Sequence, residues 1–419
     1  MVAVPVPSPS ILDGVTVVEL AEGIAGPYCG QILSDLGARV IKVEPPAGDW
    51  TRALTTEDGS VPLFVCVNRG KESLAANIRD ERGRDVVRRL VAAADVFVEA
   101  YRPGVAERNG LGHETLLALD PRLVYCSISG FGARGPLREL PGTDTILQAF
   151  SGIQDMTGEP DRAPVRVGTA IADTGAGAFA ALGILALLVR RAATGRGGRC
   201  DTSLLEVLLG LQTTTFADLF AGVETTRLGT RSSPTAAPAG SFATQDGYIA
   251  ISCAQPRQWE KLCAALGQPA LATDPRFAEN AGRVANYEAL VAELETLLAV
   301  RPTAEWSVVF EREGVNATPV NTVAEVAAHR HVEALGILRR LDSERWTGAP
   351  TVVDTPLTFD GAADAPPPRD PPQAGEQTRA VLTEIGFGEG EIDDLLAAGA
   401  VCEPARDAET TATTRGETG

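Results

Sequence analysis

One carboxylate stands apart in this sequence. Asp173 lies near the front of "VRVGTAIADTGAGAFAALGILALLVRRAATGRG", residues 165–197, and every residue from Gly175 to Val189 is apolar or glycine. A charge at the edge of such a run suits one of two roles. As a helix cap it accepts from the free N–H groups of the first turn, where the helix dipole also favours it. Arg190 and Arg191 then suit the far end, and Gly195 the stop. As a nucleophile it sits at a helix start beside a pocket and forms a covalent intermediate. Backbone N–H groups near Gly175 and Gly177 could then hold a developing oxyanion. Spacing alone leaves both roles open.

The remaining chemistry is sparse. His113, His329 and His331 are the three histidines, and they form no pattern with carboxylates that would bind a metal. The seven cysteines, Cys29, Cys66, Cys126, Cys200, Cys253, Cys263 and Cys402, are scattered and never in CxxC spacing. Neither a zinc site nor a disulfide framework is expected, and a reducing cytoplasmic location is. No GxxxxGK[ST] occurs, and no GxGxxG follows a strand. A formal charge of −18 speaks against nucleic acid or an anionic membrane as partner. The three lysines are Lys42, Lys71 and Lys261, so arginine carries most of the positive charge.

The 419 residues, 44% hydrophobic and 22% charged, have an ordinary globular composition and suit two domains. Residues 1–10 read as a loose leader without a secretory pattern. Short β-branched runs predict strands at 15–20, 39–44, 73–78, 95–100 and 123–129, with an amphipathic helix at 81–94. Strands alternating with helices predict an α/β fold with a parallel, doubly wound, Rossmann-like sheet. The apolar run after Asp173 reads as a helix buried on all sides. "FATQDGYIAISCA" reads as a hairpin turning at Asp246-Gly247, and residues 378–401 as a last helical pair.

Eight ordered segments carry a resemblance. They include "LDGVTVVELAEGIAGPYCGQILSDLGARVIKVEPPAGDWTR" (12–52), "VNRGKESLAANIRDERGRD" (67–85), "VFVEAYRPGVAERNGLG" (96–112) and "PRLVYCSISGFGARGPLRELPGTDTILQAFSGI" (121–153). The stretch 165–209, "FATQDGYIAISCAQPRQWEKLCAALG", "DPRFAENAGRVAN" and "EREGVNATPV" complete the set. Together they resemble the class III (CaiB/BaiF) CoA-transferases, the group of formyl-CoA and carnitine CoA-transferases that also contains α-methylacyl-CoA racemase. The resemblance implies that Asp173 is the nucleophile, attacking an acyl-CoA thioester. Mixed-anhydride and aspartyl-CoA thioester intermediates would then pass CoA to a free carboxylic acid, with no metal and no tightly bound cofactor.

The same resemblance places CoA contacts on Ile24 and Ala25; on Ala76, Asn77, Ile78 and Arg79; on Ala100, Tyr101 and Arg102; on Arg108; and on Gly142, Thr143 and Asp144. Arg79, Arg102 and Arg108 are the natural phosphate partners. Arg162 and Arg166 could pair the second carboxylate of a diacid. Racemases carry His in a "GHD" segment where this chain has "GTD", so transfer is favoured over racemisation. A non-catalytic acyl-CoA-binding protein and a thioester hydrolase stand as alternatives. The resemblance further implies a large domain at 11–222, a linker at 223–241, a smaller α+β domain at 242–330 and a return into the large domain at 331–402. Residues 403–419 read as a disordered tail. An interlocked-ring homodimer completes the expectation.

Overall fold

The computed structural model describes residues 11–57, 60–341, 343, 345, 350–359 and 368–404. The expected leader at 1–10 and residues 405–419 of the expected tail lie outside the described residues. The chain begins with β1 (Thr16–Leu20), α1 (Ala25–Asp35), β2 (Arg39–Glu44), α2 (Pro62–Asn68), β3 (Glu72–Ala76), α3 (Glu81–Ala92) and β4 (Val96–Glu99). It continues through α4 (Val105–Arg108), α5 (His113–Leu119), β5 (Val124–Ser129), α6 (Asp144–Phe150), α7 (Ile171–Thr194), β6 (Gly198–Ser203) and α8 (Leu204–Leu211). The six strands pair in parallel in the order β3-β2-β1-β4-β5-β6. The chain builds outward from β1 to β3, then crosses back to β4 on the other side of β1. The strand order therefore reverses between β1 and β4, and a crevice opens at the carboxyl ends there.

Strand side chains alternate between the two faces. Val18, Leu20, Ile41, Val43, Leu74, Phe97 and Tyr125 pack in one core with Val86, Leu90 and Leu116 of α3 and α5. The intervening positions put Glu19 and Lys42 on the opposite face, and both are fully buried. There Lys42 Nζ lies 3.2 Å from Glu19 and 2.9 Å from Asp49, and it donates to the Ala21 carbonyl at 2.6 Å. Lys71 Nζ binds the other oxygen of Glu19 at 2.7 Å. Burial opposes the charge on Lys42, but Glu19, Asp49 and Glu44 overcome it and hold its ammonium above the ordinary lysine range.

Helix α7 departs from the expected all-round burial. Ala172, Ala176, Gly177, Ala180, Ala181 and Ile184 are buried, while Phe179, Leu182 and Val189 are 46%, 60% and 72% exposed. Periodicity could not report this, because the helix is apolar on every side. Its inward face is made of small residues because α1 lies so close. A Cβ on Gly177 would stand 2.6 Å from the Ala25 carbonyl oxygen.

The second part holds α9 (Thr213–Phe220), β7 (Ala239–Ala243), β8 (Tyr248–Ser252), α10 (Pro256–Ala265), α11 (Asn280–Ala285), α12 (Tyr287–Leu298) and α13 (Thr303–Glu313). It continues with β9 (Ala317–Pro319), α14 (Val323–Ala327) and α15 (Arg330–Leu335). β7, β8 and β9 form an antiparallel sheet, and the expected turn joins β7 to β8 through Thr244 N–H donating to Gly247 O. Trp259, Leu262, Phe277, Leu294 and Phe310 pack with Phe242 and Ile249 in a core of their own. The chain then forms β10 (Leu338–Arg340), β11 (Thr351–Val353), α16 (Thr378–Glu384), α17 (Glu389–Ala397) and β12 (Val401–Cys402). β12 runs antiparallel to β3 and covers that edge of the large sheet.

The described residues form two compact units, one within 11–147, 169–211 and 336–404, the other from Gln148–Gly168 and Gln212–Leu335. The boundaries differ from those expected, since residues 148–168 and 212–222 go with the second unit rather than with a large domain ending at 222. Strand β7 also begins within the stretch expected as a linker. The reason is a set of bonds distant in sequence. Gln212 donates to Ser151 O at 3.2 Å, and Gly229 N–H to Gly158 O at 3.1 Å. No local pattern announces such an excursion between two helices.

Replacing Lys42 by Met removes the ion pair of Asp49 from the core and leaves Glu19 with Lys71 alone. The expected loss is about 3–5 kcal/mol, the cost of breaking a buried ion pair from one side. Denaturant unfolding of the variant measures it.

Candidate active site

A cavity of about 320 Å³ opens outside the carboxyl ends of β1, β4 and β5. Segment 22–25 after β1, segment 100–102 after β4 and segment 128–130 at the end of β5 form its walls, joined by Trp50, Gly142–Thr145, Asp173 and Leu204. Every one of these residues belongs to the first unit.

The start of α7 answers whether Asp173 is a cap. Ala170 is the cap residue, and its side chain makes no capping bond. The capping carboxylate comes from another helix: Asp144, first residue of α6 and 8% exposed, accepts from Ala172 N–H at 2.8 Å. Asp173 is then relieved of that task. No hydrogen bond to its carboxylate is found among the described residues. Burial, reinforced by the charge of Asp144, pushes its carboxyl up to about 6. The expected lowering by the helix N-terminus is thus outweighed.

The suggested oxyanion donors near Gly175 and Gly177 are corrected by the same geometry. The helix begins at Ile171, and Thr174 N–H already bonds the Ala170 carbonyl at 3.0 Å. From there on each amide belongs to the helical ladder. The two glycines serve packing instead: a Cβ on Gly175 would stand 2.8 Å from Val207, and Gly177 faces the α1 backbone.

The wall after β1 is held from below. Asp49 accepts from Gly23 N–H at 3.3 Å and from Thr51 N–H at 2.9 Å, and it ion-pairs Lys42. Burial works against ionisation of Asp49, but Lys42 and the Thr51 amide overcome it and keep the carboxyl below the ordinary aspartate range. Gly23 adopts φ 83°, and a Cβ there would meet the Trp50 ring at 3.1 Å. Trp50, half exposed, therefore lies against the Gly23 turn at the cavity. Glu22 also lines the cavity, and burial, with Asp49 adding, raises its carboxyl above the usual range.

Beside this cavity a second cleft of about 570 Å³ is lined by Arg102, Arg108 and Arg138, with Glu107 and Glu139. Arg102 belongs to both. Of the residues expected from the resemblance, Ile24, Ala25, Ala100, Tyr101, Arg102, Gly142, Thr143, Asp144 and Asp173 meet at the cavity, and Arg108 lies in the adjoining cleft. Ala76, Asn77, Ile78 and Arg79 line neither. They lie at and just beyond the end of β3, two strands from β1, where Ala76 is buried in the core and Arg79 is exposed. Arg162 and Arg166 are exposed and belong to the second unit. Sequence reasoning missed Glu22, Trp50, Ser129, Leu204 and Arg138. The ends of the predicted strands β1 and β5 were a usable signal for Glu22 and Ser129, since ligands gather at such ends. Trp50 opens a one-turn 3-10 helix, Trp50–Ala53, and Arg138 stands in a turn, and neither carried one.

The chain belongs to CoA-transferase family III, whose model matches residues 12–378. It is an enzyme of the class III CoA-transferase type. Acetyl-CoA:oxalate CoA-transferase of Acetobacter aceti is 39% identical over 383 residues, 90% of this chain and 97% of that protein. Succinate–glutarate CoA-transferase of Agrobacterium fabrum is 36% identical, covering 89% of this chain and 95% of that one. Among solved structures, a CaiB/BaiF family protein from Brucella suis superposes with a TM-score of 0.80 at 38% identity, covering 90% of this chain and all of that one.

Because the fold disfavours the charged form of Asp173, ionisation costs stability. The unfolded chain ionises first, so the cost begins above about pH 4 and is complete above about pH 6. Asp173→Asn is therefore expected to be more stable than the parent at pH 7–8 by about 1–3 kcal/mol, with the gain vanishing near pH 4. Parallel denaturant titrations at the two pH values check the sign.

Proposed function

We propose that this enzyme passes CoA from an acyl-CoA thioester to a free carboxylic acid with Asp173 as covalent nucleophile. The observation that carries the reading is the division of work at the start of α7: Asp144 caps the helix, while Asp173 faces the cavity with its carboxylate uncommitted. A carboxyl raised to about 6 is still mostly ionised at neutral pH and is more basic than an ordinary aspartate.

The steps balance without an added acid or base. An Asp173 oxygen attacks the thioester carbonyl, the C–S bond breaks, and CoA leaves as thiolate, giving a mixed anhydride. The thiolate attacks the Asp173 carbonyl and expels the first carboxylate, leaving an aspartyl-CoA thioester. The acceptor carboxylate attacks that thioester, forming a second anhydride and freeing the thiolate again. The thiolate then takes the acceptor acyl group and restores the Asp173 carboxylate. Each anhydride is about as activated as a thioester, so the exchange is reversible.

Arg102, Arg108 and Arg138 supply the positive cleft for the CoA phosphates, next to the cavity that holds the thioester. For the acids we infer the class of short dicarboxylates on at least one side of the exchange, supported by the oxalate and glutarate named for the two relatives. We further infer a homodimer, in keeping with the exposed apolar residues Phe179, Leu182 and Val189 on α7. The interlocked arrangement rests on the resemblance alone. A cytoplasmic setting suits the seven cysteines, all unpaired.

Covalent trapping tests the nucleophile. Incubation with a panel of acyl-CoAs followed by a hydroxylamine quench is expected to label Asp173, read by mass spectrometry. Asp173→Ala is expected to lose transfer while keeping its fold, and normal transfer rates in that variant would sink the assignment. The single-turnover rate of CoA release is expected to fall about tenfold per unit below about pH 6, as Asp173 takes up its proton. Arg102→Ala is expected to raise KM for acyl-CoA about tenfold or more, from the loss of a charge-assisted phosphate contact. Steady-state kinetics at fixed salt measures it.

A further inference from the structure

A second buried acid stands directly behind one wall of the cavity. Glu99 is the last residue of β4, 5% exposed, in register with Leu20 on β1 and Ser127 on β5. The next three residues, Ala100 to Arg102, form one wall of the cavity. The Glu99 carboxylate accepts from Tyr101 N–H at 2.9 Å and from the Tyr125 hydroxyl at 3.5 Å, and the Ser127 side chain also bonds to it. No lysine or arginine pairs with it among the described residues.

The groups around it do not neutralise it. Tyr125 of β5 lies edge-on to His113 of α5, with ring centres 5.9 Å apart. Arg199 of β6 binds the His113 ring at 2.8 Å and Asp201 at 2.8 Å, so its charge is engaged there. Glu107 of α4 lies 3.8 Å from His113. Burial, countered by the bonds from Ser127 and the Tyr101 amide and reinforced by Glu107 and Asp201, pushes the Glu99 carboxyl up to about 7. A glutamine could make the same backbone bond without a buried charge, so stability alone does not explain an acid here.

We propose that Glu99 is a positioning residue for acyl-CoA: ionised, its carboxylate fixes the Tyr101 amide and with it the Ala100–Arg102 wall, and protonated it loosens both. The proposal rests on reading the cavity and its adjoining cleft as the acyl-CoA site. An ionised acceptor makes the stronger bond to an amide. The wall therefore tightens as pH rises, and Arg102 is held toward the CoA phosphates. Asp173 governs the chemical step and titrates lower, so the two acids leave separate marks on a pH profile.

The test is equilibrium binding of free CoA to the whole protein by calorimetry, from pH 5.5 to 8.5, comparing the parent with Glu99→Gln. The phosphate of CoA titrates in both experiments and cancels in the ratio of affinities. That ratio is expected to rise in favour of the parent by about three- to tenfold between about pH 6 and 8. A constant ratio overturns the role of Glu99. If Glu99→Gln does not fold, Ser127→Ala takes its place. It keeps the acid and removes one bond to its charged form, so the midpoint of the parent's pH dependence is expected to move upward. An unmoved midpoint overturns the proposal equally. Absence of any CoA binding by the parent strikes the reading of the site itself, a result distinct from pH-independent binding.

Discussion

The ionic knot of Glu19, Lys42, Lys71 and Asp49 underlies everything built above the sheet. Two of the chain's three lysines are spent in it, and both are buried. A charge removed from water is costly unless each of its donors finds an acceptor. Lys42 finds two carboxylates and the Ala21 carbonyl. Lys71 finds Glu19, the Pro27 carbonyl and Asn68. These partners lie on β1, at the start of α1, at the end of α2 and in the turn after β2. The knot therefore fixes where the chain leaves β1, which is where the cavity wall begins. Its directional bonds define a geometry that apolar packing at this point could not specify.

The site itself shows how two similar residues acquire different work. Asp144 and Asp173 are both aspartates near the start of the same helix. Asp144 reaches an open backbone amide and makes a structural bond. Asp173 has no such partner among the described residues, and burial, reinforced by the charge of Asp144, raises its carboxyl to about 6. Position relative to the free amides, and not residue type, separates the capping carboxylate from the uncommitted one.

Much of the fold was legible because its signals are local. The strand runs at 15–20, 39–44, 95–100 and 123–129 and the helix at 81–94 each lie within a residue or two of the observed element. The parallel sheet followed from their alternation with helices. What escaped depends on partners distant in sequence. The cap on α7 comes from a residue 28 positions upstream, and the excursion of residues 148–168 into the second unit rests on bonds to residues beyond 211. Of the residues placed by resemblance, Ala100 to Arg102 and Gly142 to Asp144 line the cavity. The segment 76–79, placed in the same way, stands at the end of β3, two strands from β1. Trp50 and Arg138 were missed, because a single 3-10 turn and an irregular turn are too short to show a period.

The inward face of α7 has a mechanical consequence. Gly177 meets the α1 backbone where even a methyl group would collide, so the two helices lock at one height, as two toothed rails do. A helix advances about 1.5 Å and turns about 100° per residue. Slipping α7 by a single residue would lift the Asp173 carboxylate away from Ile24 and Ala25 and swing it out of the cavity. The stretch of glycine and alanine therefore works as a gauge. It sets the reach of the Asp173 carboxylate from a distance of one helical turn.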